Sequence, residues 1–151
     1  MSLKEKVRDQ LIIDEGFRLF VYDDANGKAI QAGSVLEGHP TIGIGRNLAG
    51  LGISDNEAYF LWDNDFNRVL NDLSAFSWFL KLNEPRQAVM LNMAFNMGTP
   101  KLLEFVKMIG AIERGDFIEA ALEMEDSDWH KDVKLRAERL ERQMHLGIWS
   151  Y

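Results

Sequence analysis

The sequence predicts an α+β fold, mostly α, with a small β region near the N-terminus and helices from there to the end. Three observations predict it. Aromatic and β-branched residues gather in two short runs, 17–22 and 41–44, with turn residues between them. From Ser54 onward apolar residues recur at helical spacing. Two S-x-x-E patterns, Ser2/Glu5 and Ser54/Glu57, mark helix starts. The chain of 151 residues fits one domain, with a β lobe over about 15–50 and a helical lobe over about 54–151.

Taken in order, Leu3, Val7 and Leu11 line one face of a first helix from about Leu3 to Asp14, expected to pack near the helical lobe. Gly16 supplies its stop, so Glu15 stands at a helix end. Phe17–Tyr22 and Thr41–Ile44 read as strands, and Asn26-Gly27 is a hairpin signal. Lys28–Pro40, carrying Gly33, Gly38 and Pro40, reads as an extended hairpin or loop. A second helix runs from Ser54 to about Leu73, and Phe76–Leu82 makes a short apolar turn or helix. Asn83-Glu84-Pro85 opens a helix that reaches Met97 and stops at Gly98. It is apolar on nearly all sides, which places it at the centre of a bundle. Further helices are expected at about Lys101–Arg114, Asp116–Asp126 and Lys134–Met144.

Composition narrows the chemistry. The absence of Cys excludes disulfides, thiolate metal sites and a Cys nucleophile. His39, His130 and His145 are isolated, without metal-ligand spacing, so neither metal nor cofactor is expected. Gly43-Ile44-Gly45 lacks a third glycine and a βαβ unit, which argues against a dinucleotide site. A net charge of −7 disfavours nucleic acid. No segment is apolar enough for a membrane span, and the charged N-terminus does not read as an export signal. The acidic run Glu119–Asp128 and the basic positions Lys131–Arg142 read as solvated helix faces, or as arginines lining an acidic site.

What remains is a pair of acids and a hydroxyl: Glu15, Asp24 and Thr41. Two carboxylates can cleave a glycosidic bond, one protonating the leaving oxygen and the other activating water on the opposite face. The donor must resist ionisation, as a desolvated Glu15 beside Phe17 would, whereas Asp24 in a wet turn stays charged. Spacing alone favours the plainer reading, in which Glu15 caps a helix and Asp24 makes an Asx turn.

Asp14-Glu15-Gly16-Phe17-Arg18-Leu19, Tyr22-Asp23-Asp24 and Thr41-Ile42-Gly43-Ile44-Gly45 strongly resemble the phage lysozymes of the T-even type, the muramidases of glycoside hydrolase family 24. Leu91–Gly98, Ser127-Asp128-Trp129, Arg136-Ala137 with Arg139, and Gly147-Ile148-Trp149 continue the resemblance in the same order. It implies a lysozyme-like fold. It also implies Glu15 as general acid, Asp24 as the base that positions water, and Thr41 beside it. Arg136 matches the arginine that pairs with the acid. Arg46 and Asp65 match a salt-bridged pair, and the expectation here is an Arg46–Asp65 bridge, against the alternative of two solvated charges. Asn96 stands where the family has a Gln that meets the peptide part of the wall. Trp129 stacks on a sugar or peptide stem, or belongs to the core.

The chain departs from that pattern in three ways. The interval from Asp24 to Thr41 is longer than in the best-known members, and Ala29–His39 is expected to form a differently shaped hairpin or a rim. Leu48–Ser54 is short. The charge is acidic, which weakens attraction to an anionic wall. The resemblance implies a monomeric, cytoplasmic endolysin. It would cut peptidoglycan between N-acetylmuramic acid and N-acetylglucosamine with inversion, and reach the wall through a separate membrane-lesion protein. The alternatives are a lytic transglycosylase and a silent wall-binding or structural module.

Overall fold

The computed structural model describes residues 1–150. Its contacts divide into two compact units, Met1–Tyr59 and the chain from Phe60 onward.

In the first unit, α1 (Leu3–Glu15) starts at the predicted capping box. Ser2 N–H donates to Glu5 Oε2 at 2.6 Å, and Glu5 N–H donates to Ser2 Oγ at 3.3 Å. The helix ends where Gly16 takes φ 82° and its N–H closes on the Ile12 carbonyl. β1 (Arg18–Asp23), β2 (Pro40–Gly43) and β3 (Arg46–Asn47) form an antiparallel sheet in that order. Tyr22 pairs with Thr41 and Asp23 with Pro40, so the long interval does not displace Thr41 from the strand beside the acids. β3 and the single turn α2 (Leu48–Leu51) occupy what the sequence reads as a short connection. Both are too short to carry a readable period.

The Asn26-Gly27 signal is right locally. Asp23 N–H reaches the Lys28 carbonyl and Gly27 N–H the Asp23 carbonyl, which turns the chain back. Ala29 then bridges Tyr22, and Ile30 N–H meets the Val21 carbonyl. The insertion therefore lies along β1 before it leaves for β2.

α3 (Asp55–Ser74) starts at the second capping box, with Ser54 N–H on Glu57 Oε2 at 2.8 Å. Its first residues belong to the first unit and the rest to the second. The second unit continues with α4 (Ser77–Leu80), α5 (Glu84–Met97), α6 (Thr99–Leu102), α7 (Val106–Glu113), α8 (Phe117–Glu125), α9 (Asp128–Val133) and α10 (Leu135–Leu146). Its core joins Leu73, Phe79, Val89, Met90, Met93, Leu102, Met108, Met124 and Met144. α10 packs on both α8 and α5.

Three expectations change here. The single helix foreseen at Lys101–Arg114 is two, α6 and α7. Tight turns from Lys101 to Glu104 and from Leu102 to Phe105 interrupt it, and Leu103 and Phe105 pack against the core. α9 was not foreseen as a helix, although Ser127 caps it by accepting His130 N–H at 3.2 Å. α5 is less enclosed than expected: Val89, Met90, Met93 and Ala94 are buried, but Phe95 and Asn96 are exposed. The start of α5 is tied to the end of α10 by Arg86, which donates to the Met144 and His145 carbonyls at 2.8 and 3.0 Å. A cation there also meets the negative end of the α10 dipole.

Candidate active site

Glu15 is the last residue of α1, fixed in position by the glycine stop behind it. Gly45, at φ 70°, lies against its side chain: a Cβ there would come within 3.4 Å of Glu15 Cγ. The side chain is exposed rather than desolvated. The expectation of a buried carboxyl is therefore corrected. None of the residues of α1 is buried, so the helix gives Glu15 no apolar surround.

Asp23 and Asp24 do different work. Asp23, the last residue of β1, is 3% exposed, and Tyr22 before it is buried too. Asp23 accepts Glu37 N–H at 2.7 Å and Gly38 and Ala25 N–H at 3.0 Å. The Glu37 bond, with those from Ala25 and Gly38, holds its carboxyl below the ordinary aspartate range, although burial opposes this. Asp24 is exposed. Its Oδ1 accepts His39 N–H at 2.7 Å, and its Oδ2 lies 3.6 Å from His39 Nδ1. The Asx turn considered for Asp24 belongs to Asp23 instead. Thr41 is buried beside these groups, its hydroxyl 3.3 Å from the His39 carbonyl.

Arg46 and Asp65, expected to pair, each have a partner close by in sequence. Arg46 Nη2 pairs with Glu57 at 3.2 Å and its Nε donates to the Gly52 carbonyl at 3.0 Å. Asp65 pairs with Arg68 at 3.0 Å. Glu57 stands about two helical turns before Asp65 on α3, within reach of a strand that ends at Asn47.

The second unit carries the other named residues. Arg136 is exposed in the first turn of α10. Trp129 is 6% exposed, and its Nε1–H donates to Asn96 Oδ1 at 2.9 Å. Both line a cavity of about 900 Å³ with Phe105, Lys101 and Asp132. Of the two roles weighed for it, Trp129 takes the core one, at the wall of that cavity. Behind it, His130 Nδ1 lies 2.6 Å from Glu141 Oε1 and joins α9 to α10. The Glu141 hydrogen bond pushes the imidazole up against the opposing effect of burial.

Sequence reasoning missed Asp23, His39 and His130. The neighbouring acids where a strand meets a turn were a usable signal for Asp23, because an Asp there can accept the main-chain N–H two residues on. His39 and His130 left no signal, since each meets its partner only through folding.

Comparison with known proteins places this geometry. The phage lysozyme family profile matches residues 13–143. The chain is 31% identical to the pre-baseplate central spike protein Gp5 of Enterobacteria phage T4, covering 93% of this chain and 27% of that protein. It is 26% identical to the probable T4-type lysozymes 2 and 1 of Dictyostelium discoideum, covering 89% of this chain and 90% of each. The chain thus spans about a quarter of the spike protein but nearly the full length of the two lysozymes. With Glu15, Asp24 and Thr41 all inside the matched span, the chain belongs to the phage lysozyme family, and with it to the lysozyme hydrolases.

Proposed function

We propose that this protein is a muramidase that hydrolyses the β-1,4 bond between N-acetylmuramic acid and N-acetylglucosamine in peptidoglycan, with inversion, to lyse the cell wall. The observation that carries the reading is the contrast between the neighbouring acids: Asp23 is saturated by main-chain N–H groups, while Asp24 keeps an exposed carboxylate oxygen. A carboxylate so held can take a proton from water. Glu15, on a rigid helix end, is the matching donor.

In this mechanism Glu15 protonates the leaving glycosidic oxygen as its bond to the anomeric carbon breaks. Water attacks that carbon from the opposite face and passes its proton to Asp24, with Thr41 beside it. Inversion requires room for that water, about 6.5–9.5 Å between the carboxyl groups in the working enzyme. Arg136 is the residue that matches the arginine the family pairs with the acid. Asn96 and Trp129 bind the peptide stem at the second-unit cavity. The protein acts as a monomer without a cofactor, and it works from the host cytoplasm through a lesion made by another protein.

The test is turbidity loss of permeabilised Gram-negative cells, with mass spectrometry of the products. Glu15→Gln is expected to lower the rate by at least about 10²–10⁴-fold. A Glu15→Gln rate equal to wild type would remove Glu15 as the acid, and no turbidity loss with either protein would leave only a silent wall-binding module. A reducing muramic acid end is expected, and an anhydro end would mean transglycosylation.

A further inference from the structure

We propose that His39, brought in by the long insertion, is a positioning residue for Asp24, an inference that rests on reading Asp24 as the water-activating base. Three contacts converge on the main chain of this one residue, and its imidazole borders the Asp24 carboxylate. Asp24 N–H donates to the His39 carbonyl at 3.1 Å, and His39 N–H donates back to Asp24 Oδ1 at 2.7 Å. The Thr41 hydroxyl reaches the same His39 carbonyl at 3.3 Å. His39 therefore ties together the base and the hydroxyl that the family places beside the water.

The arrangement is built rather than incidental. Asp23 fixes the segment just before His39 by accepting both Glu37 and Gly38 N–H. Gly38 packs so closely on Asp24 that a Cβ there would collide with Oδ1 and stand 2.8 Å from Ala25 N. Only a glycine lets the carboxylate occupy that place. With Oδ1 held by a main-chain donor, Oδ2 is the oxygen left to hold water. The His39 imidazole borders that oxygen, with Nδ1 at 3.6 Å. This is beyond a direct hydrogen bond, but a water on Oδ2 would have the ring nitrogen as its neighbour. An exposed aspartate on a turn otherwise samples several rotamers, and misplacement of a reacting group by 1 Å can lower a rate by about a hundredfold.

The experiment measures kcat and KM on solubilised peptidoglycan strands for His39→Ala, His39→Asn, Gly38→Ala, Asp24→Asn and the Asp24→Asn/His39→Ala pair. His39→Ala keeps the three main-chain contacts and removes only the ring that borders Oδ2 and its water, so kcat is expected to fall about tenfold, with KM and Tm nearly unchanged because the ring is largely exposed. His39→Asn, whose amide nitrogen stands at the reach of Nδ1, recovers most of the loss. Gly38→Ala keeps the imidazole but displaces Asp24 itself, and loses more kcat, about a hundredfold. In the Asp24→Asn background the His39→Ala change has no further effect. Wild-type kcat in His39→Ala, no recovery in His39→Asn, or a further loss in the double variant would each overturn the proposal. Asp24→Asn as active as wild type would instead overturn the reading of Asp24 as base.

Discussion

The two units hold themselves together by different physics. Among the described residues of the first unit the buried ones are Tyr22, Asp23 and Thr41, two of them polar. Their order comes from hydrogen bonds gathered on one carboxylate. The second unit is organised by a continuous apolar core in which nine large side chains, from Leu73 to Met144, are almost wholly buried. The difference shows where each kind of order serves. Apolar burial is non-directional and supplies stability, whereas hydrogen bonds to a carboxylate are directional and fix where a reacting oxygen stands. The acids of the proposed reaction lie on the unit held by polar contacts.

Substitutions in the two units test this contrast. The largest effect on stability is expected from Met93→Ala, which empties part of the second core and lowers stability by about 2–5 kcal/mol in urea unfolding. A loss under 1 kcal/mol would mean that this core is not what orders the second unit. Asp23→Asn is its counterpart. One acceptor oxygen becomes a donor, so Glu37 and Gly38 N–H cannot both be satisfied. Turbidity activity should fall more than about tenfold. Hydrogen exchange of α5 amides should stay at wild-type level, and faster exchange there would erase the distinction between the units.

The units should also fail at opposite ends of the pH scale. Asp23 has a lowered pKa in the folded chain. Its contribution is present above its unfolded value of 3.8 and lost as pH falls through the folded value, so acid opens the first unit. His130 has a raised pKa. Its pairing with Glu141 is fully present below the unfolded value of 6.5 and lost as pH rises through the folded value, so mild alkali loosens α9 against α10. Tryptophan fluorescence, with Trp129 next to His130, and exchange at Glu37–His39 can follow the two transitions separately. His130→Gln should remove the alkaline one, and persistence of that transition would sink its assignment.

The smallest expected effect is at Lys134, which takes φ 39° and ψ −109° where α9 meets α10. That backbone region suits glycine, so Lys134→Gly should raise stability by up to about 1 kcal/mol in the same urea unfolding. A loss of stability would show that the lysine side chain, and not the backbone, governs that junction.

Much of this was legible in the chain. The capping boxes at Ser2 and Ser54, the stop at Gly16 and the Pro85 start are local, so sequence reports them directly. Glu15 as a helix-end acid was legible for the same reason. The Arg46 partner was not, because Glu57 and Asp65 lie on the same helix as equally good acids, and only the placement of β3 and Gly52 against α3 selects one. The division of labour between Asp23 and Asp24 was half legible: a turn favours an Asp that accepts a nearby main-chain N–H, but the groups that tell the two apart come from the insertion.

The sequence by itself determined the helix starts and stops, the β run before the helical half, the family blocks and the identity of the acids. These depend on neighbours within a few residues, where propensity and capping act. The tertiary structure alone decided that Asp23 would be the buried anchor, that His39 would meet Asp24 from fifteen residues away, and that Trp129 would be held by Asn96. Those contacts exist only once loop closure has brought distant donors to a few acceptors, and no local signal in the chain records which donor arrives.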